Sequence, residues 1–260
     1  MPKISAVIIT LNEEHNIEEC LRSIAWADEI VVVDGNSTDR TVEICRQYTD
    51  KVFTNPFTDF STQKQVALDR CQCPWVLSID ADERVRPELQ TEIQQLLAGE
   101  LQHDGYYIAR RSYFLNKWIR YGGWYPGYQL RLFRREKTRL SSSRVHEGYL
   151  VEGTCGTLKH DLDHYSHPSI EDSIKKLNHY TTLEARDRLG RKKVHVYHFI
   201  LNPTSAFLKK YIRQQGFRDG MHGFLLSWIT AFLKMVLYMK IWVLQTYGGP
   251  QVRIQIGDDK

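Results

Sequence analysis

The residues best suited to bind a cation are two carboxylates separated by one residue, Asp80 and Asp82. Such a pair can place one oxygen on a divalent cation and another on a ribose hydroxyl. Mg²⁺ and Mn²⁺ prefer carboxylate oxygens together with the phosphate oxygens of a substrate. This spacing arises often by chance, but here it directly follows the apolar residues 75–79, which predict a buried strand. We therefore interpret the pair as a metal-binding site.

Other polar residues able to bind a ligand lie at the ends of two further apolar runs. Thr10, Asn12 and Glu13 lie at the end of the first run, and Asp34 ends the second. In an open parallel sheet, ligands bind beyond the carboxyl ends of the strands. Any one of these residues could be a helix cap or part of a solvated turn, but three sets at one sheet edge predict a ligand site.

The sequence lacks the common glycine-rich nucleotide-binding loops. No G-x-G-x-x-G follows the first predicted strand, and no G-x-x-x-x-G-K-[ST] is present. The G-x-G-T-R loop of sugar nucleotidyltransferases is also missing. We therefore expect phosphate to be bound through a metal instead of a glycine-rich loop.

The elements that position these residues alternate between short apolar runs and amphipathic stretches. Strands are predicted at residues 4–10, 29–33, 51–54 and 75–79, with helices between them. This alternation indicates right-handed βαβ units and a mostly parallel sheet. An aromatic and basic region follows over residues 105–167, and later helices are predicted at residues 170–188, 203–218 and 224–244.

The 260 residues have an ordinary globular composition, with 42% hydrophobic and 25% charged residues, which excludes a disordered or fibrous chain. The net charge of +4 is unevenly distributed, since residues 1–100 are acidic and residues 101–260 are basic. The acidic part suits a cation site, and the basic part suits phosphate-bearing partners or an anionic membrane. We expect no nucleic-acid partner, because no nucleic-acid-binding motif accompanies the charge.

The five cysteines are scattered and do not form a disulfide pattern, which favours a reducing compartment. The N-terminus runs directly into the first predicted strand, so we expect no signal peptide. Together these features predict a cytoplasmic location.

Three segments resemble the family 2 glycosyltransferases of GT-A fold, in matching order and spacing. They are residues 6–14 (AVIITLNEE), 31–39 (VVVDGNSTD) and 78–83 (SIDADE). The resemblance implies an α/β GT-A domain over residues 1–167, with a Rossmann-like, mostly parallel sheet flanked by helices. Residues 1–100 would form its nucleotide-sugar half, residues 101–167 its acceptor half, and residues 168–260 a C-terminal helical extension.

The resemblance implies metal-dependent, inverting transfer from a nucleotide-sugar donor, with Mg²⁺ or Mn²⁺ as cofactor. Asp80 and Asp82 match the D-x-D motif of the family, and Asp82 is expected to be the direct metal ligand. The residues that the resemblance assigns to the nucleoside are Thr10, Asn12, Glu13 and Asp34.

Within the family, residues 128–133 (YQLRLF) followed by 145–147 (VHE) resemble a subgroup that adds sugars to the lipopolysaccharide inner core. Its known members transfer glucose onto core heptose, so the resemblance implies a UDP-hexose donor and a lipid-linked glycan acceptor. The Q-x-x-R-W signature of processive synthases is absent, which indicates one sugar per encounter. The alternatives are transfer to a polyprenyl phosphate and a non-catalytic nucleotide-sugar-binding scaffold at the membrane.

An inverting transfer needs a base that takes the acceptor proton while a metal holds the charge of the leaving nucleotide. Glu147 is the predicted base, because by the resemblance it lies where the family keeps its acidic base. Alternatively, Glu147 caps a turn and pairs with Arg144. Asp161 and Asp163 are the rival candidates for the base.

Further residues have side chains suited to the metal or the acceptor. We expect His164 to complete the metal site, because imidazole suits Mn²⁺-type ions; a histidine in a solvated loop is the alternative. Aromatic faces bind sugar rings, and arginine forks bind phosphate or carboxylate. We therefore expect Trp124, Arg131 and His146 to contact the acceptor or a phosphate.

The C-terminal region contains an apolar segment preceded by cations. Lys234 and Lys240 interrupt it, and each apolar run is shorter than the about 20 residues that span a bilayer. We predict a helix lying in the interface of an anionic membrane, peripheral on the inner face of the cytoplasmic membrane; a buried core helix is the alternative. The predicted membrane-facing residues are Leu225, Trp228, Ile229, Phe232 and Leu233, and the cations are Lys209, Lys210, Arg213 and Arg218.

Overall fold

A computed structural model describes residues 2–140, 148–167, 169–190 and 193–248. The chain divides into two compact units. The first comprises Met1–Ser112 and Tyr125–Ser166, and the second comprises Tyr113–Trp124 and His167–Lys260. The predicted boundary between a domain over residues 1–167 and a helical extension over residues 168–260 stays a prediction, and Tyr113–Trp124 of the predicted domain lies in the second unit. The separation of residues 1–167 into donor and acceptor halves stays a prediction.

Strands and helices of the described residues are numbered in chain order. The strands are β1 (Ile4–Thr10), β2 (Glu29–Asp34), β3 (Val52–Thr54), β4 (Trp75–Asp80), β5 (Glu83–Val85), β6 (Gly105–Ile108), β7 (Arg110–Phe114), β8 (Lys117–Trp118), β9 (Gln129–Arg134), β10 (Thr138–Leu140), β11 (Tyr149–Val151), β12 (Cys155–Thr157) and β13 (Leu162–His167). The helices are α1 (Ile17–Ile24), α2 (Thr41–Cys45), α3 (Phe60–Arg70), α4 (Pro87–Ala98), α5 (Ile170–Asp187), α6 (Val196–Leu208) and α7 (Met221–Tyr247).

A seven-stranded mixed sheet forms the centre of the first unit, in the order β12-β6-β9-β4-β1-β2-β3. β1 pairs in parallel with both β2 and β4, and β2 pairs in parallel with β3. β9 is antiparallel to its two neighbours, β4 and β6. The predicted α/β fold with a mostly parallel sheet is therefore confirmed, and β9 makes the sheet mixed.

The sheet is covered by helices on both faces, which explains the continuous apolar character of its central strands. β1 contributes Ile4, Ala6 and Ile8 to one core cluster and Val7 to the other. α1 and α4 pack on the first face, and α3 packs on the second. The polar ends of the strands project beyond this core, where they can meet a ligand.

A second, smaller sheet brings β13 to the end of β4. β5 pairs antiparallel with β13, and β13 is followed in the sheet by β7. The register sets His164 opposite Glu83. Because β5 begins one residue after Asp82, this pairing places His164 beside the carboxylates that follow β4.

The second unit is built from the segment Tyr113–Trp124, which contains the end of β7 and all of β8, and from the helices α5, α6 and α7. Buried Asp219 accepts hydrogen bonds from the backbone N–H of Arg120 at 3.3 Å and of Tyr121 at 2.8 Å, which fixes the segment Tyr113–Trp124 to the turn before α7. Ala185 of α5 packs with Leu237 and Ile241 of α7.

The predicted helix over residues 203–218 is wrong in its bounds. Pro203, predicted to begin it, lies inside α6, which begins at Val196. At this helix start His198 Nδ1 accepts a hydrogen bond from His195 N at 2.9 Å. α6 is followed by a π-helical segment and then by a short 3₁₀ helix, Gly216–Asp219.

α7 continues through Lys234 and Lys240 as one helix of 27 residues. By length and composition it could cross a membrane, so the expectation that the apolar runs are too short is wrong for the helix as a whole. Only 28% of an apolar 18-residue stretch of this helix is buried, whereas a core helix of a soluble protein is mostly buried.

Candidate active site

The carboxyl ends of β1, β2 and β4 meet at one edge of the seven-stranded sheet. The register pairs Thr10 with Asp34 and Ile9 with Asp80, so the predicted residues lie side by side. Thr10 Oγ1 is buried and has no hydrogen-bond partner among the described residues. Buried hydroxyls are normally paired, so this oxygen is free to exchange a hydrogen bond with a ligand group. The binding role of Thr10 stays a prediction.

Hydrogen bonds fasten the loop after β1 to the loop after β2. Asn12 N donates to Ser37 Oγ, Thr38 N donates to Asn12 Oδ1, and Glu13 N donates to Thr41 Oγ1, each at 2.8 Å. Asn12 has a φ of 55°, in the left-handed region that asparagine tolerates better than most residues. The two loops therefore form a fixed rim at the sheet edge.

Asp34 shapes the second of these loops. Its side chain is buried, and its carboxylate accepts from Ser37 N at 2.8 Å and from Ser37 Oγ at 2.5 Å. A carboxylate has about four acceptor positions, so Asp34 retains capacity for a further donor. Glu13, on the first loop, accepts from Asn16 Nδ2 at 2.8 Å.

Asp80 belongs to a network of four charged side chains. Arg131 donates to the Asp80 carboxylate and to Glu83 Oε1, the latter at 2.6 Å. Glu83 Oε2 accepts the backbone N–H of Asp80 at 3.0 Å, and Arg110 Nη1 lies 3.7 Å from Glu83 Oε1. Two arginines thus neutralise two carboxylates at the start of the D-x-D turn.

The two carboxylates of this network titrate differently. Burial raises the pKa of Glu83, and the nearby charge of Asp80 adds to that effect, although Arg131 opposes it. Burial also acts to raise the pKa of Asp80, but the charges of Arg131 and Lys64 outweigh it and hold this pKa below its ordinary value. Because the Asp80 side chain is 33% exposed, the site presents an ionised carboxylate to solvent.

The structure brings together Asp82 and His164, the two predicted metal ligands. Asp82 Oδ2 lies 3.5 Å from His164 Nε2, and both side chains are largely buried. His164 Nδ1 lies 3.1 Å from Ser112 Oγ. When Nδ1 carries the proton and donates it to Ser112, Nε2 presents a lone pair beside the carboxylate.

This pair fits a divalent cation that also contacts a substrate. The described residues contain no group of three or more His, Cys, Asp or Glu side chains that could hold a metal ion. Cations such as Mg²⁺ commonly bind through one or two carboxylates together with substrate phosphates and water. Asp82 and His164 can therefore supply part of a coordination shell, and a diphosphate can supply the rest.

The predicted base, Glu147, and the predicted contact His146 lie outside the described residues. Of the rival bases, Asp163 lies 3.3 Å from Arg86 Nη1 and 3.7 Å from Arg111 Nε, so its carboxylate is engaged in ion pairs. Asp161 accepts a hydrogen bond from the Tyr125 hydroxyl, and burial raises the pKa of Asp161.

Arg131 and Trp124, predicted to contact the acceptor or a phosphate, contact other residues of the chain in the structure. Arg131 is 4% exposed and its guanidinium donates to Asp80 and Glu83, so it supports the D-x-D turn. Its expected contact with an acceptor or a phosphate stays a prediction. Trp124 belongs to the second unit, where it packs against the apolar cluster around Phe114.

Sequence reasoning missed two residues of the site. Glu83 follows the D-x-D pair directly, and a carboxylate after a turn is normally exposed, yet its side chain is fully buried. Ser112 gave no signal, because its contact with His164 depends on strand pairing across about fifty residues.

The family model and the sequence relatives agree on one family. The model of glycosyl transferase family 2 matches residues 5–164. The chain is 34% identical over 252 residues to the lipopolysaccharide core biosynthesis glycosyltransferase LpsC of Rhizobium meliloti, covering 93% of each chain. It is 32% identical over 259 residues to an uncharacterized glycosyltransferase of Rickettsia typhi, covering 93% of this chain and 87% of that protein. TarS 1–349 from S. aureus, crystallised with UDP-GlcNAc, matches 94% of this chain and 90% of its own, with 16% identity and a TM-score of 0.46.

Proposed function

This chain belongs to glycosyl transferase family 2, and we propose that it transfers one sugar, with inversion, from a UDP-hexose to a lipopolysaccharide-core glycan. The observation that carries the proposal is the pair of Asp82 and His164, which lie 3.5 Å apart beside the strand ends. The relative LpsC, named for lipopolysaccharide core biosynthesis, supports the class of acceptor.

Asp82 and His164 would hold Mg²⁺ or Mn²⁺, with His164 oriented by Ser112. When bound, the cation neutralises the charge that develops on the leaving diphosphate. The buried environment strengthens the effect of these charges.

The rim formed by the first two loops would bind the nucleoside. The unpartnered hydroxyl of Thr10 can exchange a hydrogen bond with the donor. Asn12, Glu13 and Asp34 are fixed by backbone and side-chain hydrogen bonds, so little conformational freedom is lost on binding. Asp80, ionised and partly exposed, can accept a hydrogen bond from a hydroxyl of the donor.

Glu147 would act as the base of a single displacement. Its carboxylate takes the proton of the acceptor hydroxyl, the acceptor oxygen forms the new bond to the anomeric carbon, and the bond from that carbon to the nucleoside diphosphate breaks. The electron pair of the broken bond leaves with the diphosphate. His146, beside the base, would contact the acceptor.

We place the enzyme on the inner face of the cytoplasmic membrane, where a lipid-linked acceptor is held. Three of the four predicted cations, Lys209, Arg213 and Arg218, are exposed. Lys210 is not available to lipid, because its Nζ donates to Gly122 O at 2.6 Å within the second unit. The electrostatic contribution to membrane binding therefore comes from three side chains.

The test is transfer by the full chain to a lipopolysaccharide core that lacks its next sugar, with several UDP- and GDP-sugars and with or without EDTA. We expect transfer from one UDP-hexose that stops in EDTA. Transfer only to a polyprenyl phosphate would show that this lipid is the acceptor. Donor binding without any transfer would show that the protein is a non-catalytic scaffold.

Replacing the base gives a sharper result. Glu147→Gln keeps the size of the side chain but cannot take the proton, so we expect kcat to fall about 10²–10⁴-fold with donor affinity nearly unchanged. Asp161→Asn is the matched control and should keep most of the activity. The opposite ranking of the two variants would move the role of base to Asp161.

A further inference from the structure

α6 is a helix without a charged residue and without a buried one. Its exposed apolar residues recur along one side, with Val196, Ile200 and Leu208 in one row and Tyr197 and Leu201 in the next, and the uncharged Thr204 and Ser205 complete the two rows. Ile200 and Leu201 are 62% and 60% exposed. A helix facing water normally carries charges on its exposed side, so this side is suited to an apolar environment.

α7 continues this apolar surface. Its exposed large side chains, among them Trp228, Phe232, Met239 and Val243, recur at helical spacing along one side. The Trp228 ring lies 5.1 Å from that of Phe207 on α6, so the exposed side of α7 borders α6. His198 of α6 stacks on Tyr238 of α7, which makes the two helices antiparallel neighbours.

The two lysines of α7 are bound by α5. Lys240 Nζ donates to Asn178 O at 2.6 Å, Asn178 Oδ1 at 2.7 Å, Thr181 Oγ1 at 2.9 Å and Thr182 Oγ1 at 2.7 Å. Lys234 Nζ lies 3.7 Å from Glu184. Both charges are therefore turned toward α5 and leave the exposed side of α7 uncharged.

Three hydroxyls of the helix pair donate to carbonyls of their own helix. Ser227 and Thr230 donate to the carbonyls of Gly223 and Leu226, and Thr204 donates to the carbonyl of Ile200. Each bond runs to the residue one helical turn earlier. Hydrocarbon offers no partner to a hydroxyl, so helices that contact lipid need such internal bonds.

We propose that the exposed apolar side of α6 and α7, the α6–α7 face, inserts into the hydrocarbon of one membrane leaflet. This proposal rests on the proposed function only in taking the membrane to be the cytoplasmic membrane. A second copy of the chain is disfavoured as the occupant, because exposed Lys209, Arg213 and Arg218 follow α6 and Trp242 and Tyr247 lie near the other end of α7. Cations and aromatic residues at the ends of an apolar surface match the lipid headgroup region.

Insertion without spanning follows from the position of α5. This helix carries charged residues such as Lys175, Glu184 and Arg186, and it lies along the C-terminal half of α7. Its charges could not enter hydrocarbon without a large cost. Only the α6–α7 face is therefore inserted, although α7 is long enough to cross a bilayer.

The test is flotation of the full chain with neutral phosphatidylcholine vesicles at high salt. We expect the protein to float, because burial of apolar side chains does not depend on salt. Ile200→Asp and Phe232→Asp should each weaken binding about tenfold or more. Tyr107→Asp, at an exposed aromatic residue of β6, is the matched control and should bind as the unmodified protein does.

Trp228 gives a direct reading of depth. Phosphatidylcholine brominated on its acyl chains should quench the fluorescence of the unmodified protein more than that of Trp228→Phe. Failure to float with neutral vesicles, or equal quenching of the two proteins, would overturn the proposal. Lipid-free self-association that Phe232→Asp abolishes would assign the face to a second copy and would also overturn it.

The same proteins separate this proposal from the proposed function. Transfer to a soluble core oligosaccharide should be unchanged in Ile200→Asp and Phe232→Asp, which also shows that they are folded. Flotation without any transfer would refute the proposed enzyme but leave insertion supported. Transfer without flotation would refute insertion alone.

Discussion

Buried charge explains why single residues of this site were predictable to different degrees. The D-x-D carboxylates can be identified from the sequence because paired acidic residues after a buried strand have few structural uses. Glu83 and Arg131 form the support behind them, and nothing local in the sequence distinguishes a buried ion pair from two solvated side chains. Their pairing spans 48 residues and depends on β9 lying beside β4.

At the proposed metal site, the contact between Ser112 and His164 leads to a testable effect on the affinity for Mn²⁺. We expect Ser112→Ala to weaken Mn²⁺ binding in the presence of UDP by about 10–100-fold, because a histidine ligand loses the group that fixes its orientation. Calorimetric titration with Mn²⁺ measures the effect.

Ser78→Ala is the matched control for Ser112→Ala. Ser78 is also a buried serine, but its hydroxyl donates to the Tyr149 hydroxyl at 3.1 Å, away from the imidazole. Equal losses of Mn²⁺ affinity in the two variants would show that the effect arises from general destabilisation.

Among the elements, the first four strands are predictable because β-branched runs buried on both faces have few alternatives to a parallel sheet. The C-terminal helices are less predictable. Lys234 and Lys240 interrupt the apolar pattern of α7, and the groups that bind Lys240 are 58–62 residues earlier in the chain. Local patterning therefore underestimates the length of the helix.

The contact of Lys240 with α5 leads to a prediction at this scale. Removing two acceptors in the double variant Asn178→Ala/Thr182→Ala should lower the free energy of unfolding by about 1 kcal/mol, because the ammonium group loses hydrogen bonds. Urea denaturation measures it. In a Lys240→Met background the same double variant should cost much less.

Thr91→Ala serves as the control for these helix substitutions. Thr91 also donates to a carbonyl one turn earlier, Pro87 O at 2.9 Å, but no lysine is bound to it. If the loss in the double variant were the same with Lys240 and with Met at that position, the ammonium group would have no part in the packing of α5 on α7.

At the scale of the whole molecule, the acidic first hundred residues contain Asp80 and Asp82 of the proposed cation site. The basic remainder contains His164 and the predicted membrane contacts. The sequence predicts four cations for the membrane surface, but the structure reduces them to three. Lys210 donates a hydrogen bond to the carbonyl of Gly122, and burial lowers the pKa of Lys210. Charge reversal at this position would therefore damage the second unit itself.

The exposed cations should tune the affinity for anionic lipid without being required for insertion. Each contributes about 1 kcal/mol near an anionic surface, so replacing Lys209, Arg213 and Arg218 by Glu should weaken binding to phosphatidylglycerol vesicles by at least about 100-fold at low salt. Binding to neutral vesicles should change little, because the α6–α7 face is intact. Flotation at several salt concentrations measures both. An equal loss on neutral vesicles would mean that the three charges hold the connection between α6 and α7 together and do not act on lipid.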